Sequence, residues 1–499
     1  MDLNASVSRA LASLSDSTGT LTSLADDVSF LAQWRLFRGV KALDSRWDRT
    51  PGLARDESLW AFGARGGTAF ADNAKYLYLH VAARHPEIRA VWLSKDPEVV
   101  RELQAEGFEA YHCYSPRGLL LTLRAGAVFL TQGHRDLAMP FVAGALTVLL
   151  WHGLPLKRIS WDAEFRHRPA PVRRTQARLS GEFDLLTIPG EGAADVFASG
   201  LRIDRERMVA TGYPRNDALF AEIPGERVGT DAAALDRVRD LAEGRDAESA
   251  DSPSLVCYLP TFREWTDESV ADRLDFTALD AFLAERDATL VVKTHPRDSL
   301  DLPEGLSRVV QLPEATDVYP LLRYADALVT DYSSLYFDYL LLDRPVVFYP
   351  YDLDEYRARR GFYFDYESVT PGTVARTFDG LLAGLDRALD PADDRDAPRR
   401  EAVRTRLLGA TPPRRRPATR PVAEPPRPTR ESAGTTGVPD APPTARPRPP
   451  GRRWSPTSSG VASPGIGAKH GGGGRIRSFE CAQSTRFRYG AIFIFREKV

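Results

Sequence analysis

"LVTDYSSLYFDYLLLDRPVVFY", Leu328 to Tyr349, packs a strand, a turn, a helix and a second strand into one continuous run. Leu328 and Val329 close a β-branched apolar stretch of the kind that forms a buried parallel strand. Leu335 to Leu342 carries helix-compatible apolar residues at helical spacing, and Val346 to Tyr349 is apolar and extended again. Strand, helix and returning strand form a βαβ unit, and such units build parallel sheets covered by helices. Asp331, Ser333 and Ser334 therefore fall in the strand-to-helix turn. A single serine or aspartate there is ordinarily an N-cap. Two serines beside unpaired helix N–H groups also make a cradle for an anion such as a diphosphate.

The same grammar extends in both directions. Upstream, "LWAF", "IRAVWLS", "FEAYHC", "AVFLT", "ALTVLLW" and "FDLLTIP" alternate with helical segments between Leu59 and about Phe220. A second series, "SLVCYLP", "ATLVVKT", "RVVQLP", "DALVT" and "PVVFY", follows a charged, alanine-rich stretch near residues 221–253. The reading is α/β with two Rossmann-like domains, residues 51–220 and 221–398, facing a cleft where ligands sit beyond the carboxyl ends of the strands.

Outside these domains the composition differs. Residues 1–50 read as helices, with Phe30, Trp34 and Phe37 on one face and Arg35, Arg38 and Lys41 beside them. Such a helix either covers the neighbouring domain or lies on an anionic membrane surface. Residues 399–499 are rich in proline, arginine and glycine, a composition that buries no core, so a disordered tail is expected. Across 499 residues, 66 Lys and Arg nearly balance 68 Asp and Glu, so no global field draws the chain to nucleic acid. Cys113, Cys257 and Cys481 are scattered, which argues for a reducing compartment, the cytoplasm by default. No signal-peptide pattern opens the sequence and no apolar run reaches membrane-spanning length, so neither a secretory leader nor a transmembrane helix is expected.

Polar residues of catalytic type recur at the strand ends. "LTVLLWHGLPLKRIS" presents His152 and Gly153 in the turn after its strand, with Lys157 just beyond; "LVVKTHPRD" does the same with Lys293 and His295. A lone strand-end histidine is usually structural, but a pair at corresponding ends of two domains points to proton transfer across the cleft. "YLPTFRE" supplies Thr261 and Arg263 as phosphate donors. "TGYPRNDALF" places Arg215, Asn216 and Asp217 where the chain leaves the first domain, and Asp338 follows the serines. The aromatic run "YPYDLDEYRARRGFYFDYE" either touches a ligand or packs as core. Neither GxxxxGK[ST] nor GxGxxG occurs, which disfavours ATP hydrolysis and nicotinamide chemistry. No HxxxH, HxH or carboxylate-rich set accompanies either histidine, so no metal is assigned, and Asp331 reads as an orienting or capping acid.

"FADNAKYLYLHVAARHPEIRAVWLSKD", "WHGLPLK", "TGYPRND", "LPTFRE", "VVKTHPRD" and the run from Leu328 to Glu367 resemble, in order and spacing, the CDP-glycerol glycerophosphotransferase family of bacterial teichoic acid synthesis. The resemblance implies a GT-B-like fold and a CDP-glycerol or CDP-ribitol donor, with no other cofactor. It also implies a lipid-linked or polymeric acceptor and peripheral attachment to the inner face of the cell membrane. By the same resemblance His152 is the general base, His295 a second essential group near the phosphates, and Ser333 and Ser334 line the donor phosphate site. A nucleotide-sugar glycosyltransferase and a catalytically silent nucleotide-binding protein are the alternatives. The family pattern ends with a closing helix packed on the first domain; after "TPGTVARTFDGLLAGLDRALDPADDRDAPRREAVRTRL" none is expected here.

Overall fold

The apolar runs become strands whose side chains are buried on both faces, as parallel sheets covered by helices require. A computed structural model describes residues 23–44, 50, 54–243, 253–266, 270–294, 300 and 302–409. The first sheet is built from β1 (Asp56–Phe62), β2 (Arg89–Ser94), β3 (Ala110–His112), β4 (Ala125–Leu130), β5 (Leu146–Leu149), β6 (Leu185–Ile188) and β7 (Met208–Ala210). All pairings are parallel, in the order β3-β2-β1-β4-β5-β6-β7. The second comprises β8 (Ser254–Leu259), β9 (Ala288–Val292), β10 (Val309–Gln311), β11 (Ala327–Thr330), β12 (Val346–Phe348) and β13 (Thr373–Val374), in the order β10-β9-β8-β11-β12-β13. Both orders are those of a doubly wound Rossmann sheet, with chain reversals between β1 and β4 and between β8 and β11.

The two sheets share one core. A single hydrophobic cluster runs from Phe37 of the N-terminal helix through Leu130 and Leu149 of the first sheet to Leu328 and Phe348 of the second. Phe30, Trp34 and Phe37 are buried within it, so the N-terminal helix, residues 23–44, covers the first domain. Its outward face is also apolar: Leu24, Val28, Leu36 and Leu43 are 41–59% exposed. Among the described residues no helix is long and apolar enough to cross a membrane.

The stretch quoted up to Leu407 itself ends in a closing helix. Ala397–Leu408 is helical, and its end packs on Gly190 and Gly192 at the end of β6, with Leu407 and Leu408 in the shared core. The arginine-rich sequence hid it. Arg400 and Arg404 are 1% exposed, and both reach Asp343, at 3.3 and 3.2 Å. The helix therefore begins ahead of the expected tail limit at residue 399 and runs past it. Residues 1–22, His295 and the tail from residue 410 lie outside the described residues.

Candidate active site

Loops at the carboxyl ends of β1, β4 and β5 build the first wall. Leu150 N–H donates to the Leu130 carbonyl at 2.7 Å, after which the chain turns sharply, with Trp151 at φ 57° and Gly153 at φ 137°. Asn73 Nδ2 donates to the Trp151 carbonyl at 2.9 Å and fixes the turn. His152 Nδ1 lies 3.2 Å from the Thr131 carbonyl, so Nδ1 carries the proton and donates, leaving Nε2 as the basic nitrogen. Burial lowers the His152 pKa below the usual imidazole value, opposed chiefly by the Asp72 carboxylate. The ring is neutral at pH 7, as a base must be.

Asp72 and Arg65 escaped sequence reasoning. "FADNAK" marked only the start of the family resemblance, and both residues have positive φ, a signal visible only in the backbone. Arg65 Nε donates to Asp72 Oδ2 at 2.9 Å, and Arg215 Nη1 lies 3.3 Å from Asp72 Oδ1. Burial raises the Asp72 pKa, but Arg65 and then Arg215 outweigh it and hold it at about 2. The carboxylate therefore stays charged beside His152.

The second wall rises from β8 and β11, the strands flanking the reversal in the second sheet. Asp331, 1% exposed, accepts from Thr261 N–H at 2.9 Å and Arg263 Nη1 at 2.5 Å. Arg263 then makes a two-pronged pair with Asp352, at 2.9 and 2.8 Å, beneath Tyr332, Tyr351 and Tyr356. Arg263, read from the sequence as a phosphate donor, makes these contacts within the protein. Its guanidinium is engaged by two carboxylates, one of them 89 residues distant in sequence, and it ties β8, β11 and the loop after β12 together. Asp331 acts as the orienting acid. Thr261 Oγ1 is buried without a hydrogen-bond partner among the described residues. Ser333 Oγ accepts weakly from Leu335 N–H at 3.4 Å, and the following helix, Leu335–Tyr339, is only one turn before tightening at Leu340–Leu342.

Arg215, Asn216 and Asp338, read from the sequence as substrate-binding, contact one another. Asp338, 1% exposed, accepts from Arg215 Nη2 at 2.7 Å, Asn216 Nδ2 at 3.1 Å and the Tyr319 hydroxyl at 2.7 Å. These residues form a buried tie between the halves. Asp217, partly buried, caps the following turn through its carbonyl, which accepts from Phe220 and Ala221 N–H.

Where the walls meet, a Cβ on Gly153 would stand 3.0 Å from both Ser334 Oγ and Arg215 Nη2. Lys157 reaches the second wall through an antiparallel bridge to Phe362 and lies 5.9 Å above the Tyr356 ring. The aromatic run of residues 349–367 thus packs around Arg263 and receives the loop after β5. Burial brings the Lys157 pKa down to about 8, with Asp331 opposing. Lys293, at the end of β9, is lowered by burial and then by Arg65. The Arg65 charge lowers the pKa of both His152 and Lys293. A separate cavity of about 520 Å3 lies beside the end of β12, between Arg273, Tyr349, Tyr351 and Arg376.

Two doubly wound parallel sheets with strand-end loops converging on one cleft define a GT-B-like α/β protein. The sequence profile of the CDP-glycerol:poly(glycerophosphate) glycerophosphotransferase family matches residues 51–410, and the chain belongs to that family. It is 27% identical over 349 residues to the teichoic acid poly(glycerol phosphate) polymerase of Staphylococcus epidermidis, covering 65% of this chain and 45% of that protein. The chain thus spans about half the length of this relative. It is 27% identical over 354 residues to the teichoic acid glycerol-phosphate transferase of Staphylococcus aureus, covering 68% of this chain and 86% of that one. The fold is that of the wall teichoic acid polymerase TagF, with TM-score 0.58 and 24% identity over 78% of this chain and 94% of the other.

Proposed function

We propose that the chain transfers glycerol phosphate, or ribitol phosphate, from a CDP-activated donor to a hydroxyl of a lipid-linked or polymeric teichoic acid-type acceptor, releasing CMP. The observation that supports this reading best is the close approach of Gly153, next to the neutral His152 imidazole, to Ser334 of the second wall. His152 Nε2 takes the proton of the acceptor hydroxyl as its oxygen attacks the phosphorus bonded to glycerol. The bond from that phosphorus to the bridging oxygen breaks, and CMP leaves with the electron pair. Lys157, Ser333, Ser334 and Thr261 hold the phosphate oxygens; His295 assists by family resemblance. Asp72 steadies the imidazolium. Positioning and electrostatics carry most of such a transfer. The base and ribose of the donor fit the 520 Å3 cavity beside β12. No metal or cofactor is assigned.

The same reading places the protein at the cytoplasmic face of the membrane, held peripherally by the outer face of the N-terminal helix. Its support is the concentration there of exposed large apolar side chains, four of them on that one helix.

CMP release and product mass, measured with CDP-glycerol or CDP-ribitol and a lipid-linked acceptor, test the reading. Transfer from the CDP-polyol is expected, with His152→Ala lowering kcat by about 10²- to 10⁴-fold. Transfer from UDP-sugars alone, or full activity in His152→Ala, would refute it.

A further inference from the structure

On the far side of Trp151 lies a second cavity, of about 360 Å3, beneath the N-terminal helix and bounded by the loop after β4 and the Ala170–Ser180 helix. Its wall includes Phe30, Trp151, Trp161, Phe165 and Phe183. The Trp151 ring centroid is 4.3 Å from that of His152, so this cavity and the proposed base share one residue step. We propose that the cavity is a subsite for an uncharged, hydroxyl-bearing ring, a sugar unit of the acceptor; this rests on the reading of His152 as the acceptor-side base.

Three observations select that ligand class. First, the charges in the wall do not favour an anion. The Asp136 carboxylate accepts from the backbone N–H groups of Gly66, Thr131, Gln132 and Gly133 at 2.7 to 3.3 Å, and Arg168 stands 3.4 Å from Asp27. Asp26 adds a further negative group and Arg135, over the Phe30 ring, a second guanidinium, so three carboxylates against two arginines leave the wall net negative and disfavour a phosphate.

Second, a hydrocarbon chain fits poorly. His134 is 2% exposed, and among the described residues neither of its ring nitrogens nor Trp161 Nε1 has a hydrogen-bond partner. An apolar occupant would leave these groups, together with Gln132, Gln176 and Ser180, dehydrated. A ring bearing hydroxyls supplies both donors and acceptors after the small side-chain rotations that accompany binding.

Third, the aromatic walls offer flat faces to the C–H face of a saturated ring, and the volume falls at the small end of ligand pockets. An acceptor whose ring sits here directs its next unit past Trp151 toward His152 Nε2.

The test uses the full chain, wild type and with Gln176→Phe, which fills the cavity from a partly buried position, or Trp161→Phe, which deletes the indole N–H. Saturation-transfer NMR with methyl glycosides of glucose and N-acetylglucosamine is expected to give signal with wild type and lose it with Gln176→Phe. Two soluble acceptors with the same terminal glycerol hydroxyl, one on a glycoside and one on an alkyl phosphate, supply the kinetic readout. Gln176→Phe should raise KM about tenfold for the glycoside acceptor alone, leaving kcat and the donor KM unchanged. Trp161→Phe should raise it about threefold. Equal effects on both acceptors, no effect, or displacement of the glycoside by inorganic phosphate or decanol would overturn the proposal. If wild type releases no CMP with either acceptor, the transferase reading fails, while the glycoside signal still decides the cavity.

Discussion

Lys157 sits between the walls with no hydrogen bond or ion pair among the described residues, and its pKa of about 8 lies near working pH. Its ammonium is present below that value and is lost as pH rises through it. The activity ascribed to the site therefore has two limits: kcat/KM for the donor should fall below the range where buried His152 becomes protonated and fall again above about pH 8. Lys157→Arg, whose guanidinium stays charged, should shift the upper limb beyond pH 10; an unmoved limb would exclude Lys157 as the titrating group. Asp338 leads to a different expectation. Its pairing with Arg215 is buried on both sides, so Asp338→Ala leaves the guanidinium only its longer contact with Asp72 and should destabilise the chain by up to about 3–5 kcal/mol in urea unfolding. Asp338→Ala with Arg215→Ala should cost less than the sum of the single changes. The strand-end positions of His152, Lys157 and Ser334 were legible in the sequence. Whether Arg263 or Asp338 faces ligand or protein was not legible, because it depends on partners at Asp352 and Arg215, 89 and 123 residues away.

The strands quoted from the sequence correspond to eleven of the thirteen in the two sheets, because a parallel strand buried on both faces leaves a continuous apolar run. The two not anticipated, β7 and β13, are three and two residues long at sheet edges and carry no such run. The closing helix was lost for another reason: two of its inward positions are arginines, which composition assigns to the surface. Its docking depends on residues without side chains. A Cβ at Gly192 would lie 1.8 Å from the Arg406 carbonyl, and backbone cannot yield as a flexible side chain can. Gly192→Ala should therefore destabilise by at least about 1–3 kcal/mol. Gly39→Ala, in the N-terminal helix with nothing within 4 Å of the added methyl, should be neutral or stabilise by up to about 1 kcal/mol. Thermal melts of the two variants check the contrast, and a neutral Gly192→Ala would mean that the helix does not dock as described.

At the scale of the whole molecule, a net charge of −2 gives no long-range attraction to anionic lipid, so any membrane contact must be local. The N-terminal helix has the required asymmetry. Phe30, Trp34, Phe37 and Val40 anchor one face in the core, while Leu24, Val28, Leu36 and Leu43 face outward beside exposed Arg35 and Arg38. A helix already held by its inner face has little ordering left to do when its outer face enters the headgroup region, so the apolar gain is retained. The outer leucines and valine contribute through partial burial, a fraction of the about 1.5–3 kcal/mol that full burial of each would yield, and each nearby arginine adds about 1 kcal/mol. The full chain should therefore co-sediment with vesicles containing anionic lipid and release partially as salt rises. Leu24→Ser, Val28→Ser and Leu36→Ser combined should weaken the association by roughly 10- to 100-fold with little change in thermal stability, because none of the three packs inward. Arg35→Gln with Arg38→Gln should remove the salt dependence and leave the residual apolar binding. Vesicle binding unchanged by the triple substitution would move the membrane contact off this helix while leaving the chemistry assigned to the cleft untouched.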